Sequence, residues 1–218
     1  MLTDQGRDFL ATQMIEQQVR AWGVLDERVL DVLRAVPRER FVPQEHRYLA
    51  FADVEVPLPH GQHMLRPGVV GRLLQALELT GAERVLEVGS GSGFVTACLA
   101  ASSASVLSLE IFPALAELAR ANLAHAGNAQ VTVADATRFE PDGRFGAIAL
   151  TASLPLYDER FQQHLEIGGR LFVVVGEPPI MEARLVRRIA EDGWSSESLF
   201  ETVIDPLVNA RRREEFAF

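Results

Sequence analysis

Apolar residues near the start of the chain recur at helical spacing: Phe9, Leu10, Met14, Ile15, Val19 and Trp22. That stripe predicts a helix over 4–22, stopped by Gly23. A second helix is expected over 26–36, with Asp26 as N-cap, Val29, Leu30, Val32 and Leu33 on its apolar side, and Pro37 ending it. Between 38 and 68 the periodicity is lost, and Pro, His and Gly crowd the chain, as in Pro57-Leu58-Pro59 and His60-Gly61-Gln62-His63. So long an irregular segment in a compact chain is usually functional. Helical spacing returns over 68–79 at Val69, Val70, Leu73, Leu74 and Leu77.

From residue 84 the pattern alternates. Strands are expected at 84–88, 105–110, 130–134, 145–150 and 170–175, and helices at 93–101, 113–126 and 158–165. Ile148-Ala149-Leu150 and Leu171-Phe172-Val173-Val174-Val175 are apolar without a break, as in strands covered on both faces. Alternating strand and helix predicts a parallel sheet. After Gly176, segments 181–190 and 194–202 flank Glu191-Asp192-Gly193, a hairpin turn. One compact unit is expected, with a helical extension over 1–79 and a core over 80–218.

The first strand runs into its helix as Val85-Leu86-Glu87-Val88-Gly89-Ser90-Gly91-Ser92-Gly93. Three alternating glycines permit a tight turn and let a ligand reach the backbone, since no Cβ stands in the way. A dinucleotide fingerprint needs Gly or Ala where Phe94 stands, and a phosphate loop needs a Gly-Lys-Ser/Thr end that this run lacks. Acid-x-Gly-x-Gly-x-Gly instead resembles the S-adenosylmethionine loop of the Rossmann-like methyltransferases, as does the antiparallel end of the sheet. The expected fold is α/β and Rossmann-like: a mostly parallel, doubly wound sheet with a C-terminal antiparallel hairpin and an N-terminal helical extension. Glu87 at the strand end can meet a cationic ligand group, with Gly89, Ser90, Gly91 and Gly93 around the ligand.

In open α/β sheets ligands lie beyond the carboxyl ends of the strands. Glu110 ends the second strand near the usual offset for a ribose-binding acid, roughly 20 residues past the glycine loop, with Ile111 beside it. Its two oxygens can accept from vicinal hydroxyls. Asp135 ends the third strand and can accept from an adenine amino group while the Ala136 N–H reaches a ring nitrogen; the alternative for Asp135 is a helix cap or turn residue. Thr151 faces the same crevice or is an ordinary strand-end threonine.

Composition narrows the partners. A net charge of −9 argues against a nucleic-acid acceptor, and Arg211-Arg212-Arg213, answered at once by Glu214 and Glu215, reads as a solvated tail. Cys98 is the single cysteine, so no internal disulfide forms; it suits a reducing compartment and is expected in the core. The opening Thr3-Asp4-Gln5-Gly6-Arg7-Asp8 is polar and no apolar run nears about 18 residues, so a cytoplasmic chain without a membrane span is expected. The five histidines show no metal-ligand spacing, and no metal is expected.

Further strings carry a closer resemblance: Met14-Ile15-Glu16-Gln17-Gln18-Val19-Arg20, Val36-Pro37-Arg38-Glu39-Arg40-Phe41-Val42-Pro43, Pro57-Leu58-Pro59, Gly61-Gln62 and Gly168-Gly169-Arg170-Leu171. With the glycine loop they make the chain resemble the protein-L-isoaspartate O-methyltransferases over most of its length. The resemblance implies methyl transfer from S-adenosylmethionine to the α-carboxyl of isoaspartyl residues in damaged proteins, leaving S-adenosylhomocysteine. It also implies that Glu87, Gly89, Glu110 and Asp135 hold the cofactor. The family pattern Gly-Gln-Thr-Ile-Ser-x-Pro, whose serine lies beside the methyl acceptor, stands here as Gly61-Gln62-His63-Met64-Leu65-Arg66-Pro67. Its late Phe-Val-Pro-Leu survives as Ile204-Asp205-Pro206-Leu207.

A carboxylate acceptor, with a reference pKa of about 4, is already ionised at neutral pH and needs no general base. The lost serine therefore removes a positioning hydrogen bond, worth on the order of 100-fold in rate. Leu65 makes the spot apolar. Arg66 can grip a carboxylate or be a solvated loop arginine. His60 and His63 can serve as base for a hydroxyl or amine acceptor, or bond the backbone. Two alternatives follow: a methyltransferase acting on a small molecule through a hydroxyl or amine, with His63 as base, and a non-catalytic S-adenosylmethionine-binding module.

Overall fold

The computed structural model describes residues 4–212; Arg213, Glu214 and Glu215 of the charged tail lie outside them. The expected first helix is one continuous rod of three pitches. An α-helix, α1 (Asp4–Gln13), widens into a π-helical segment at Met14–Val19 and tightens into a 3-10 turn at Arg20–Trp22. The wide turn carries Met14, Ile15 and Val19 into the core, and Gly23 ends the rod in the left-handed region at φ 78. In α2 (Glu27–Ala35) the Asp26 carboxylate caps as expected, accepting the Arg28 N–H at 2.9 Å.

The segment over 38–68 is less irregular than its composition suggests. It holds 3-10 turns at Arg38–Arg40 and Gln44–Leu49, and then a hairpin of β1 (Val56–Leu58) against β2 (Gln62–Met64). The hairpin turns through Pro59–Gly61, where His60 takes a positive φ of 63. Strands of three residues are too short to show an alternation. The next helix, α3, is Pro67–Leu77.

The main sheet contains β3 (Arg84–Val88), β4 (Ser105–Glu110), β5 (Ala129–Val133), β6 (Phe145–Leu154), β7 (Leu165–Glu177), β8 (Ile180–Ala190) and β9 (Gly193–Glu201), in the order β5-β4-β3-β6-β7-β8-β9. Five strands run parallel, and β8 and β9 add the antiparallel end. Successive residues of a strand face opposite sides, which splits the core in two. Val85, Ala147 and Phe172 pack on one face, and Leu86, Ile148 and Leu171 on the other. The crossover helices are α4 (Phe94–Ser102), α5 (Pro113–Asn122) and α6 (Arg160–Gln163).

Several boundaries differ from the sequence expectation. The helix expected over 158–165 is a single turn, because Leu165 already pairs with Phe145 in the sheet. Consequently β7 starts five residues before the expected strand at 170. β6 continues past 150 to Leu154 through a bulge between Ala149 and Ser153. α5 ends at Asn122, short of 126, and β5 ends at Val133, which leaves Asp135 beyond the strand. β4 and β5 lie on one side of β3 and β6 on the other, so the chain reverses direction across the sheet between β3 and β6. Ligand crevices open at the carboxyl ends of strands at such a reversal. Among the described residues no helix is long and apolar enough to cross a membrane.

Candidate active site at the carboxyl edge of the sheet

The glycine loop sits at that reversal. Gly89, Gly91 and Gly93 have φ of 101, 52 and 85, a region in which only glycine is unstrained. Gly89 is also pressed sideways: a Cβ there would overlap Thr151 Oγ1. Thr151 donates to the carbonyls of Val88 and Gly89 at 2.9 and 2.7 Å, so its hydroxyl fixes the loop it faces.

Glu87 lies beneath this loop, one residue before the end of β3, and is fully buried. Its Oε2 accepts from Ser108 Oγ and from Thr96 Oγ1, each at 2.5 Å, while Oε1 has no partner. Ser108, with its proton committed to Glu87, accepts from Ser90 Oγ at 2.5 Å, which links the buried acid to the loop. Burial pushes the Glu87 carboxyl up to about 8, against the pull of Ser108 and Thr96. Thr96 and Ser108 were not found by sequence reasoning, although a serine inside the apolar run Val106-Leu107-Ser108-Leu109 was a visible signal.

Glu110 ends β4 and ties the edge together. Its Oε2 accepts the Gly91 N–H at 2.9 Å and its Oε1 the Phe112 N–H at 3.0 Å. Each oxygen keeps a lone pair for another donor. Beyond it, Ile111, Phe112, Ala134 and Ala136 line a slot whose opposite wall is Pro206, Leu207 and Val208. That wall belongs to a strap over 203–210, held along β6 by the Leu207 N–H on the Ser153 carbonyl at 2.8 Å. Asp135 behaves as a turn residue and as the strap's anchor. Its Oδ1 accepts from Thr137 N and Oγ1, and its Oδ2 accepts from Asn209 Nδ2 at 3.0 Å. Despite the cost of burial, these bonds hold its carboxyl below the ordinary aspartate range.

On the other side the small hairpin closes the groove. Leu58 Cδ1 comes up against Gly91, and the His60 ring stacks on Phe112 with centroids 4.4 Å apart. His63 and Leu65 line the same recess as Gly89, Gly91, Glu110, Thr151 and Asp205. His63 Nδ1–H donates to Asp205 Oδ2 at 2.9 Å. Leu65 is buried, and its carbonyl accepts from Arg38 Nη2 at 2.9 Å. Arg38 is itself buried, with its guanidinium 5.0 Å from the Phe94 ring centroid, and burial lowers it to about 10. Arg66 is exposed at the N-cap of α3 and does not line the recess. Glu55, half-buried in the recess, is raised by burial, with Arg66 and His63 pulling it down. Among the described residues no His, Cys, Asp or Glu cluster is gathered to hold a metal.

Comparison with known proteins places the chain. A family model described as protein-L-isoaspartate(D-aspartate) O-methyltransferase matches residues 10–212. A Rhodopseudomonas palustris protein-L-isoaspartate O-methyltransferase 1 is 39% identical over 214 residues, covering 95% of this chain and 87% of its own. A Methanoculleus marisnigri protein-L-isoaspartate O-methyltransferase is 39% identical over 180 residues, covering 81% of this chain and 82% of its own. In fold, the chain is similar to a Plasmodium falciparum protein described as a protein-L-isoaspartate O-methyltransferase and crystallised with S-adenosyl-L-homocysteine. That likeness has a TM-score of 0.76 at 20% identity and covers 92% of this chain and 97% of the other. The chain belongs to the protein-L-isoaspartate O-methyltransferase family.

Proposed function

We propose that this protein transfers a methyl group from S-adenosylmethionine to the free α-carboxyl of isoaspartyl residues in proteins or peptides. The observation that carries the reading is the groove at the sheet reversal, floored by glycines and edged by the Glu110 carboxylate. Its residues fit the cofactor. A Cβ at Gly89 would collide with Thr151 and shift the loop that makes the floor, Glu110 has lone pairs left for two ribose hydroxyls, and the slot between Ile111 and Leu207 has the apolar walls that a flat ring needs. Gly89, Ser90, Gly91 and Gly93 would form the floor and Glu110 would hold the ribose. Ile111 and Ala136 would border the adenine. Glu87 and Thr151 act from below, fixing the loop through Ser108, Ser90 and the Gly89 carbonyl. Asp135 acts chiefly by anchoring the strap.

Bound S-adenosylmethionine supplies a methyl group on a sulfonium sulfur, which keeps the bonding pair when the carboxylate oxygen bonds to the methyl carbon. No proton is released, so this chain's residues need only orient the acceptor and exclude water. The hairpin, stacked through His60 on Phe112, roofs the groove and performs the exclusion. A cytoplasmic setting suits the buried free thiol of Cys98.

The test is a labelled-methyl assay with an isoaspartyl peptide and its normal aspartyl counterpart. Base-labile methylation of the first alone is expected; cofactor binding without transfer to the isoaspartyl peptide overturns the reading. A second reading, a small hydroxyl- or amine-bearing acceptor, draws on the His63–Asp205 pair, which can take up a proton. It predicts methyl incorporation that resists mild base.

A further inference from the structure

Two of the places where this sequence departs from its family's pattern meet in space. His63 stands for the threonine of the acceptor motif and Asp205 for the valine of the late motif. They are 142 residues apart in the chain and joined at 2.9 Å. The third departure, Leu65, lines the same recess and cannot supply the hydroxyl of the family's serine. All three line one recess with Gly89, Gly91 and Thr151. The serine's position is vacated, and a paired imidazole is installed beside it.

Resting on the proposed isoaspartyl reading, we infer that His63, oriented by Asp205, replaces the missing serine as the hydrogen-bond donor to the acceptor carboxylate. With Nδ1 committed to Asp205, Nε2 is the ring nitrogen that can address a ligand. In the imidazolium form both nitrogens are donors: Nδ1–H stays on Asp205 and Nε2–H takes one oxygen of the acceptor. The other oxygen bonds to the methyl carbon as the carbon–sulfur bond breaks and the pair passes to sulfur. The Nε2 proton stays in place throughout. His63 thus touches the substrate, and Asp205 is a positioning residue.

Charge in the recess explains why a cation is needed. Three carboxylates, Glu55, Asp205 and Glu110, line it. Against them stand His63 and, acting on Glu55 from outside, Arg66. The sulfonium of bound cofactor offsets one of these negative charges and a protonated imidazole offsets a second, and a charge-assisted bond to a carboxylate is about twice as strong as a neutral one. The hydroxyl of the family's serine works in either protonation state of its surroundings; the imidazole works in one.

The consequence is a pH dependence that a serine would not give. The test measures kcat/KM for an isoaspartyl peptide between pH 5.5 and 9, with calorimetry of S-adenosylmethionine on the same samples. Wild type is expected to lose kcat/KM as pH rises and the donor proton on Nε2 is given up. His63→Gln and His63→Ala should flatten that limb and lower kcat/KM by about 10- to 100-fold, mainly through KM, with cofactor affinity unchanged. Asp205→Asn should move the limb to lower pH, and Asp205→Glu should restore it. Both residues are partly exposed, so the variants are expected to fold. Unchanged kcat/KM and limb in His63→Ala and Asp205→Asn overturn the inference alone, as does a wild-type rate that climbs with pH, the mark of a base. A wild type that binds cofactor but never methylates the peptide overturns the functional reading, and this inference with it.

Discussion

Asn209 and Asp135, 74 residues apart, are joined by a 3.0 Å hydrogen bond from Nδ2 to Oδ2. The bond fastens the free-running end of the strap to the turn after β5, so one wall of the slot is pinned at both ends. Asn209 holds a positive φ of 63, which asparagine tolerates better than most residues. Asn209→Ala should therefore loosen Leu207 and Val208 without touching the core. The expected result is a cofactor affinity weakened by about threefold to tenfold, in line with one lost hydrogen bond of about 1 kcal/mol, and a Tm lowered by a few degrees, since alanine also holds the positive φ less easily. Isothermal calorimetry and thermal unfolding check it; an unaltered affinity would free the strap of this role.

Glu110 does two things, and two substitutions separate them. Glu110→Ala deletes the acceptor proposed for ribose hydroxyls and orphans the N–H groups of Gly91 and Phe112. A loss of cofactor affinity of at least about 100-fold is expected, with some loss of stability. Glu110→Gln keeps one carbonyl oxygen and the shape, and should cost about tenfold. Equal binding by all three proteins would misplace the ribose.

The loop itself admits no side chain. Gly89→Ala combines a positive φ with a collision against Thr151 Oγ1. A destabilisation of about 2 kcal/mol or more is expected, together with lost cofactor binding. Adding Thr151→Ala removes the collision but not the strained φ, and also frees the carbonyls that Thr151 holds. The double variant should therefore remain defective; full rescue by denaturant titration and calorimetry would mean that sterics alone make the loop need glycine.

Glu87 gives a stability effect of unusual sign. Its folded carboxyl is raised from the ordinary glutamate value to about 8. Its contribution is complete below the unfolded pKa of about 4.5 and is lost as pH rises towards 8, because only the unfolded chain sheds the proton in that interval. Glu87→Gln keeps an oxygen for Ser108 and Thr96 and cannot ionise. In the cofactor-free protein, the Tm of the variant relative to wild type should therefore rise between pH 5 and 8, by roughly 2–4 °C per kcal/mol for a chain of this size. A constant difference across that range would show that Glu87 titrates normally.

The sheet was legible because its strands are buried on both sides. Leu171 to Val175 and Ile148 to Leu150 are unbroken apolar runs, and the glycine loop marked the place where the ligand enters. What sequence could not reveal lies where partners are distant or elements short. β1 and β2 have three residues each, and Pro57 interrupts what alternation there is. Glu87 reads as a strand-end acid ready for a ligand; only the neighbouring strand and helix show it turned down onto Ser108 and Thr96. His63 and Asp205 were each visible as departures from a motif, but nothing local ties positions so far apart. Arg66, named beside His63 for the acceptor, lies outside the recess, while Arg38, hidden in a family string, fixes the Leu65 carbonyl.

The hairpin over 56–64 and the strap over 203–210 meet above the groove at His63 and Asp205, and neither contributes one of the seven strands of the main sheet. The sheet without these two segments would offer a pocket with a floor and no sides. Chains interrupted before the strap would keep most of their strands and still bind poorly. Ligand affinity becomes a proofreader of complete folding, in a family whose chemistry is directed at damaged proteins.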